Sequence, residues 1–276
     1  KQFKVEKSDV GKQFFIDFDG VSRNSRVWVN GHYMGTEESG YQSFSYNITD
    51  VLNFGGNNVI AVRVDASEEE GWFYEGAGRY RHVWLRKTSN LHIAKDGVFI
   101  RSEYNKSKAK VAVELDLVNK NISDKDFYIV NQVLDDEGEI LSESKKLKGR
   151  ISAMSEKMLK CDLFIKSPEL WSLENPYLYT LITKIFIDNS IVESVSSSFG
   201  IRTIKFDSDN GFFLNGKHIK LKGTNNHQDH AGVGTAMPDE LIRWRLEQLK
   251  DFGVNAIRSS HNPPTPELLN LCDEMG

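Results

Sequence analysis

Cysteine is scarce in this chain. The two that occur, Cys161 and Cys272, fall in different segments and lack the spacing of a metal motif, so no structural disulfide is expected. Proline is sparse too, 6 in 276 residues, and there are no low-complexity runs, which argues against extended disorder. No apolar run nears the ~18–20 residues that a bilayer requires. The opening KQFKVEKSDVGKQ has no apolar core of a signal peptide. An excess of one charge is also missing: the net charge of −4 gives no electrostatic case for nucleic acid or an anionic membrane. A soluble protein is expected. Its compartment stays open between periplasm and cytoplasm, and a homo-oligomer is neither required nor excluded.

What is present is a globular composition, 39% hydrophobic and 11% aromatic, in three stretches of different character. Residues 1–89 carry short aromatic and β-branched runs (13–18 QFFIDF, 25–30 SRVWVN, 58–65 NVIAVRVD), and Asn30-Gly31 between two of them reads as a hairpin turn. A jelly-roll sandwich fits this spacing. Residues 90–200 hold a second β series at 97–104, 110–119, 127–135, 157–164 and 177–188. About seven strands in roughly 100 residues is the immunoglobulin-like expectation. Lys145, Lys146 and Lys148 read as a solvated face.

Residues 201–276 switch to strand–loop–helix, twice. Strand 219–223 (IKLKG) leads into loop 224–237 (TNNHQDHAGVGTAM), and strand 254–258 (VNAIR) into 259–264 (SSHNPP). Pro238, Asp239 and Glu240 start one helix and Gly253 stops it; Thr265-Pro266-Glu267 starts the next. The first apolar face is Ile242, Leu246 and Leu249; the second is Leu268, Leu271, Cys272 and Met275. These are two βα units of a parallel architecture, whose sites collect at the carboxyl ends of strands.

His227, Asp229, His230, Arg258 and His261 stand at those ends. His227 and His230 with Asp229 can be read as metal ligands, as satisfied structural histidines or as groups hydrogen-bonding hydroxyls. Arg258 is either paired with a carboxylate inside a barrel or directed at substrate. His261 precedes a stiff Asn-Pro-Pro turn, which suits oriented hydrogen bonding or simply a helix start. Trp72, Phe73 and Tyr74 could stack on a sugar ring or pack between domains, and Glu70 and Glu75 in the same loop are charges with no partner assigned by the sequence. Hydrolysis of a glycosidic bond needs two carboxylates facing it. The acids of 239–274 sit on the predicted helices, turned to solvent or helix ends, leaving Asp229 alone in a loop.

The order of the three stretches, with ordered words along them, resembles glycoside hydrolase family 2, which includes β-galactosidases, β-glucuronidases and β-mannosidases. The words are 27–31 VWVNG, 41–46 YQSFSY, 72–85 WFYEGAGRYRHVWL, 199–203 FGIRT, 213–217 FLNGK, 222–230 KGTNNHQDH, 255–263 NAIRSSHNP and 271–276 LCDEMG. The resemblance implies a mainly β, multidomain chain: jelly-roll sugar-binding-type domain 1–89 with its amino-terminal part missing, immunoglobulin-like sandwich 90–200, and the first two βα units of a TIM (β/α)8 barrel, 201–276.

It further implies a retaining glycosidase whose acid/base and nucleophile glutamates lie downstream of Gly276, so no catalytic residue is assigned here; no Asn-Glu dipeptide occurs in the chain. His227, His261, Arg258, Asp229 and Asn226 are the substrate-binding expectation, and 227–234 (HQDHAGVG) is more similar to the β-galactosidase branch. The expected partner is a β-galactoside. The alternatives are a β-glucuronidase or β-mannosidase, or a noncatalytic carbohydrate-binding module. No cofactor and no metal site are expected. Na+ or Mg2+ in a full-length enzyme stays open, with no complete oxygen set visible.

Overall fold

The computed structural model describes residues 1–67 and 76–276; Glu70 and Trp72–Glu75 therefore lie outside the described residues. Contacts divide the chain into two compact units. One is Lys1–Thr88 with Gly223–Leu269, the other Ser89–Lys222 with Asn270–Gly276.

In the first unit, Gln2–Lys4, Asn57–Arg63, Ser25–Val29 and His32–Glu37 form an antiparallel sheet in that order, and Phe44–Asn47, Gln13–Phe18 and Val83–Thr88 form a second. Alternation along Gln13–Phe18 sends Phe14, Ile16 and Phe18 inward, where they meet Val27, Val29 and Ile48. Asn30 and Gly31 take the positive φ values, 51° and 85°, of the expected hairpin turn. Asp17, on the same strand, is buried and paired with Arg86 at 2.8 Å.

The second unit holds the immunoglobulin-like sandwich. Leu91–Asn105, Lys108–Asn119 and Ser155–Lys166 make one sheet. Lys125–Leu134 and Tyr179–Ile187 are the centre of the other, with Ile140–Glu143, Leu147–Ile151 and Ser190–Phe199 beside them. Ala109, Val111, Val113, Leu115 and Leu117 alternate inward against Ile129, Val133, Leu181 and Ile185. The last three strands were not legible as apolar runs, since short or serine-rich edges pair through backbone groups whatever their side chains. Both cysteines are free thiols.

The barrel-type strands begin later than the sequence pattern indicates. The first is Gly223–Asn226, not 219–223, and the second Ala256–Ser259, not 254–258; they pair in parallel, Gly223 opposite Ala256 through Asn226 opposite Ser259. Two causes are visible. Val254 donates its N–H to the Leu249 carbonyl and Gly253, at φ 81°, to Lys250, so these residues close helix α1 (Asp239–Asp251) and not a ladder. Ladder pairing then recruits the polar Asn225 and Asn226, overriding their weak strand preference. Helix α2 spans Pro266–Met275, with the Thr265 hydroxyl accepting the Leu268 N–H. Ile242, Leu246 and Leu271 are buried as the stripes require. No helix among the described residues is long and apolar enough to cross a membrane.

Candidate active site

Parallel register sets Asn226 and Ser259 side by side at the carboxyl ends of the two strands. The Ser260 N–H continues the pairing onto the Asn226 carbonyl, 3.1 Å. One residue further on each chain come His227 and His261. Their rings meet edge to face, with centroids 5.5 Å apart and planes at 85°. His227 is half-buried and His261 exposed.

Asn226 accepts the Thr224 hydroxyl on its side-chain oxygen at 2.6 Å. Arg258 is exposed, and its Nη1 donates to Ser260 Oγ at 3.2 Å. No ion pair of Arg258 occurs among the described residues. His230 does not join the pair in a metal-type group. It closes a tight turn, exchanging backbone bonds with Gly234, and its ring lies against Trp244 at 6.1 Å.

Loop 227–234 is held from two sides by arginines that the sequence reading passed over. From α1, Arg245 donates to the carbonyls of His227 (2.9 Å) and Asp229. Burial pushes the Arg245 guanidinium below its ordinary range, partly countered by the Asp229 charge. From the sandwich, buried Arg81 donates through Nη2 to Gln228 Oε1 at 3.0 Å and to the Pro263 carbonyl at 2.7 Å. A sequence signal for Arg245 existed: it stands three residues after Ile242, on the inward face of its helix.

Beside the loops lies a cavity of about 420 Å³, its walls including His82, Gln228, Ile242, Leu246 and Leu268. At its rim His82 Nε2 sits 3.1 Å from both Asp239 oxygens and 3.7 Å from Glu267 Oε1. Both acids stand at helix ends as expected, and the His82 segment of the sandwich reaches those first turns. Among the described residues, these three side chains are the group whose donor atoms, within 4.8 Å of one another, have the composition of a cation site. Two helix amino termini at the same spot oppose a cation, and the imidazole already meets the carboxylates.

Three family models match in order along the chain: the sugar binding domain of glycosyl hydrolases family 2 over residues 1–89, the central family 2 domain over 91–202, and the family 2 TIM barrel domain over 206–276. The chain belongs to glycosyl hydrolases family 2. Among curated relatives of this family 2 chain, Beta-galactosidase BoGH2A of Bacteroides ovatus is 40% identical over the whole chain and 32% of its own length. A beta-glucuronidase of Bacteroides fragilis is 32% identical, over 96% of this chain and 40% of its own. The crystal structure of a family 2 member from Bacteroides cellulosilyticus superposes with a TM-score of 0.96 at 34% identity, over all of this chain and 38% of that one. The chain thus spans about a third of the length of its curated relatives.

Proposed function

We propose that the full-length protein is a retaining glycosidase acting on terminal β-D-galactosides, and that His227 and His261 line its sugar subsite. The observation that carries the reading is the imidazole pair itself, 5.5 Å apart at the ends of adjacent parallel strands, in a family 2 chain. Two oriented rings offer N–H donors and lone-pair acceptors to sugar hydroxyls, and held donors favour the charge that develops at bond cleavage more than they favour the ground state. Asn226 and Arg258 end the same two strands and complete the polar wall; Asp229 adds the one loop carboxylate. Cleavage itself needs a pair of carboxylates across the bond, which these residues do not supply.

The choice of galactoside rests on two supports. The loop 227–234 is more similar to the β-galactosidase branch, and Arg81 and Arg245 point their guanidinium edges at backbone carbonyls and an amide, so they are not presented to a uronic carboxylate. A β-glucuronidase is the second reading, because relatives of both names match over the chain. Assay of the full-length protein against aryl β-galactoside, β-glucuronide and β-mannoside separates them. A kcat/KM highest on the galactoside, falling about 100-fold or more in His227→Ala and His261→Ala, is expected. Preference for the glucuronide, or indifference to both substitutions, would overturn it.

A further inference from the structure

We infer, resting on the glycosidase reading above, that Arg81 is a positioning residue that sets the spacing of the His227 and His261 imidazoles. The residue is 8% exposed. One edge is held in the sandwich, where Nη1 donates to the carbonyls of Asp19 (3.3 Å) and Tyr41 (3.2 Å). The other edge reaches both site loops at once, Nη2 donating to Gln228 Oε1 and to Pro263 O. Gln228 Nε2 closes a triangle by donating to the same Pro263 carbonyl at 3.4 Å. Gln228 directly follows His227, and Pro263 is two residues past His261.

The chemistry of the acceptors matters. All four are uncharged oxygens, and Nε has no hydrogen-bond partner among the described residues. A buried cation without a carboxylate recovers its lost hydration only through charge-assisted bonds, and the planar fork fixes the angles between them in a way an ammonium cannot. Gly20 keeps the space open: a Cβ there would stand 2.8 Å from Arg81 Cδ and 3.1 Å from the Tyr80 ring. A tie serving only to join sandwich to barrel strands could land anywhere on these loops. This one lands on the residue after His227 and on the residue two past His261.

The test uses the full-length protein with Arg81→Lys, Gln228→Leu and Gln228→Glu, active sites being counted by stoichiometric inactivation with a slow covalent glycoside. In Arg81→Lys and Gln228→Leu, kcat per active site should fall about 10–100-fold with KM within about threefold, since small misplacement of groups acting at the transition state has that scale. Gln228→Glu keeps an acceptor for Nη2 and should recover to within about fivefold of wild type. The cross-peak between the His227 and His261 ring protons should weaken in the first two and persist in the third. Should Arg81→Lys fail to fold, Gln228→Leu decides, because Arg81 retains its other three acceptors. Unchanged kcat with an intact ring cross-peak in Gln228→Leu would overturn the inference while leaving the glycosidase reading in place. If His227→Ala and His261→Ala prove neutral, the glycosidase reading falls instead, and the cross-peak alone still decides whether Arg81 spaces the rings.

Discussion

Replacing Arg245 by methionine isolates the other clamp on the histidine loop. The substitution keeps most of the aliphatic stem against α1 and deletes two donated bonds, to the His227 carbonyl at 2.9 Å and to the Asp229 carbonyl. A hydrogen bond to a charged group contributes roughly 1.5–3 kcal/mol, which gives a gross loss of about 3–6 kcal/mol for the two. Part of that is offset. The guanidinium is half-buried, its ionised form is already disfavoured by burial, and the released carbonyls gain access to water. A net cost of about 2 kcal/mol follows, equivalent to roughly 30-fold in a local opening equilibrium. The amides of His230, Val233 and Gly234, which are bonded within the turn that this clamp supports, report on it directly. Their hydrogen exchange should accelerate about 30-fold, with amides in the Lys108–Asn119 strand unchanged. Exchange within about threefold of wild type at all three would show that the loop does not depend on Arg245, and the reasoning would fail.

Three further outcomes are expected. The 276 residues alone should turn over no aryl β-galactoside, because Asp229 is the sole acid of the site loops, while Asp239 and Glu267 face His82; contaminant-free hydrolysis would refute this. Burial raises the Tyr179 phenol to about 12 from its ordinary 10. Its folded value being the higher, the stabilisation is complete below about pH 10 and is lost as pH climbs towards 12, about 2–3 kcal/mol in all. Urea melts of wild type and Tyr179→Phe from pH 9 to 12 should therefore diverge, and parallel curves would count against it. Gly20→Ala, which presses on Arg81 and Tyr80, should cost about 1–3 kcal/mol by overpacking, read as a lowered Tm.

The β architecture was legible where side-chain alternation is strong, as in Lys108–Asn119, whose inward residues from Ala109 to Leu117 are all apolar. It was not legible at Ser190–Phe199, a serine-rich strand whose place follows from backbone pairing with Tyr179–Ile187. The same cause displaced both barrel-type strands: parallel pairing took in Asn225, Asn226 and Ser259, which by propensity look like loop. Within the candidate site, His227 and His261 stand out in the sequence as polar residues at strand ends, and the fold brings their rings together. The arginines do not stand out, because their role is defined by partners 147 and 182 residues away for Arg81, and sequence spacing carries no record of such contacts. His82 escaped for the same reason, its carboxylates being assignable to helix starts without it.

A loop containing Gly232 and Gly234, both at positive φ, would ordinarily be a poor platform for a side chain that must hold its direction. Consecutive residues resolve the conflict by facing different supports. His227 and Asp229 give their carbonyls to Arg245, Gln228 gives its amide to Arg81, and only the His227 ring is left to meet His261. The arginines hold residues 227–229 directly, and the His230–Gly234 turn that carries the glycines is built on that segment through its own backbone bonds. Slow exchange at His230, Val233 and Gly234, whose N–H groups are bonded within the turn, lost at all three together when Arg245 is removed, is what this arrangement requires.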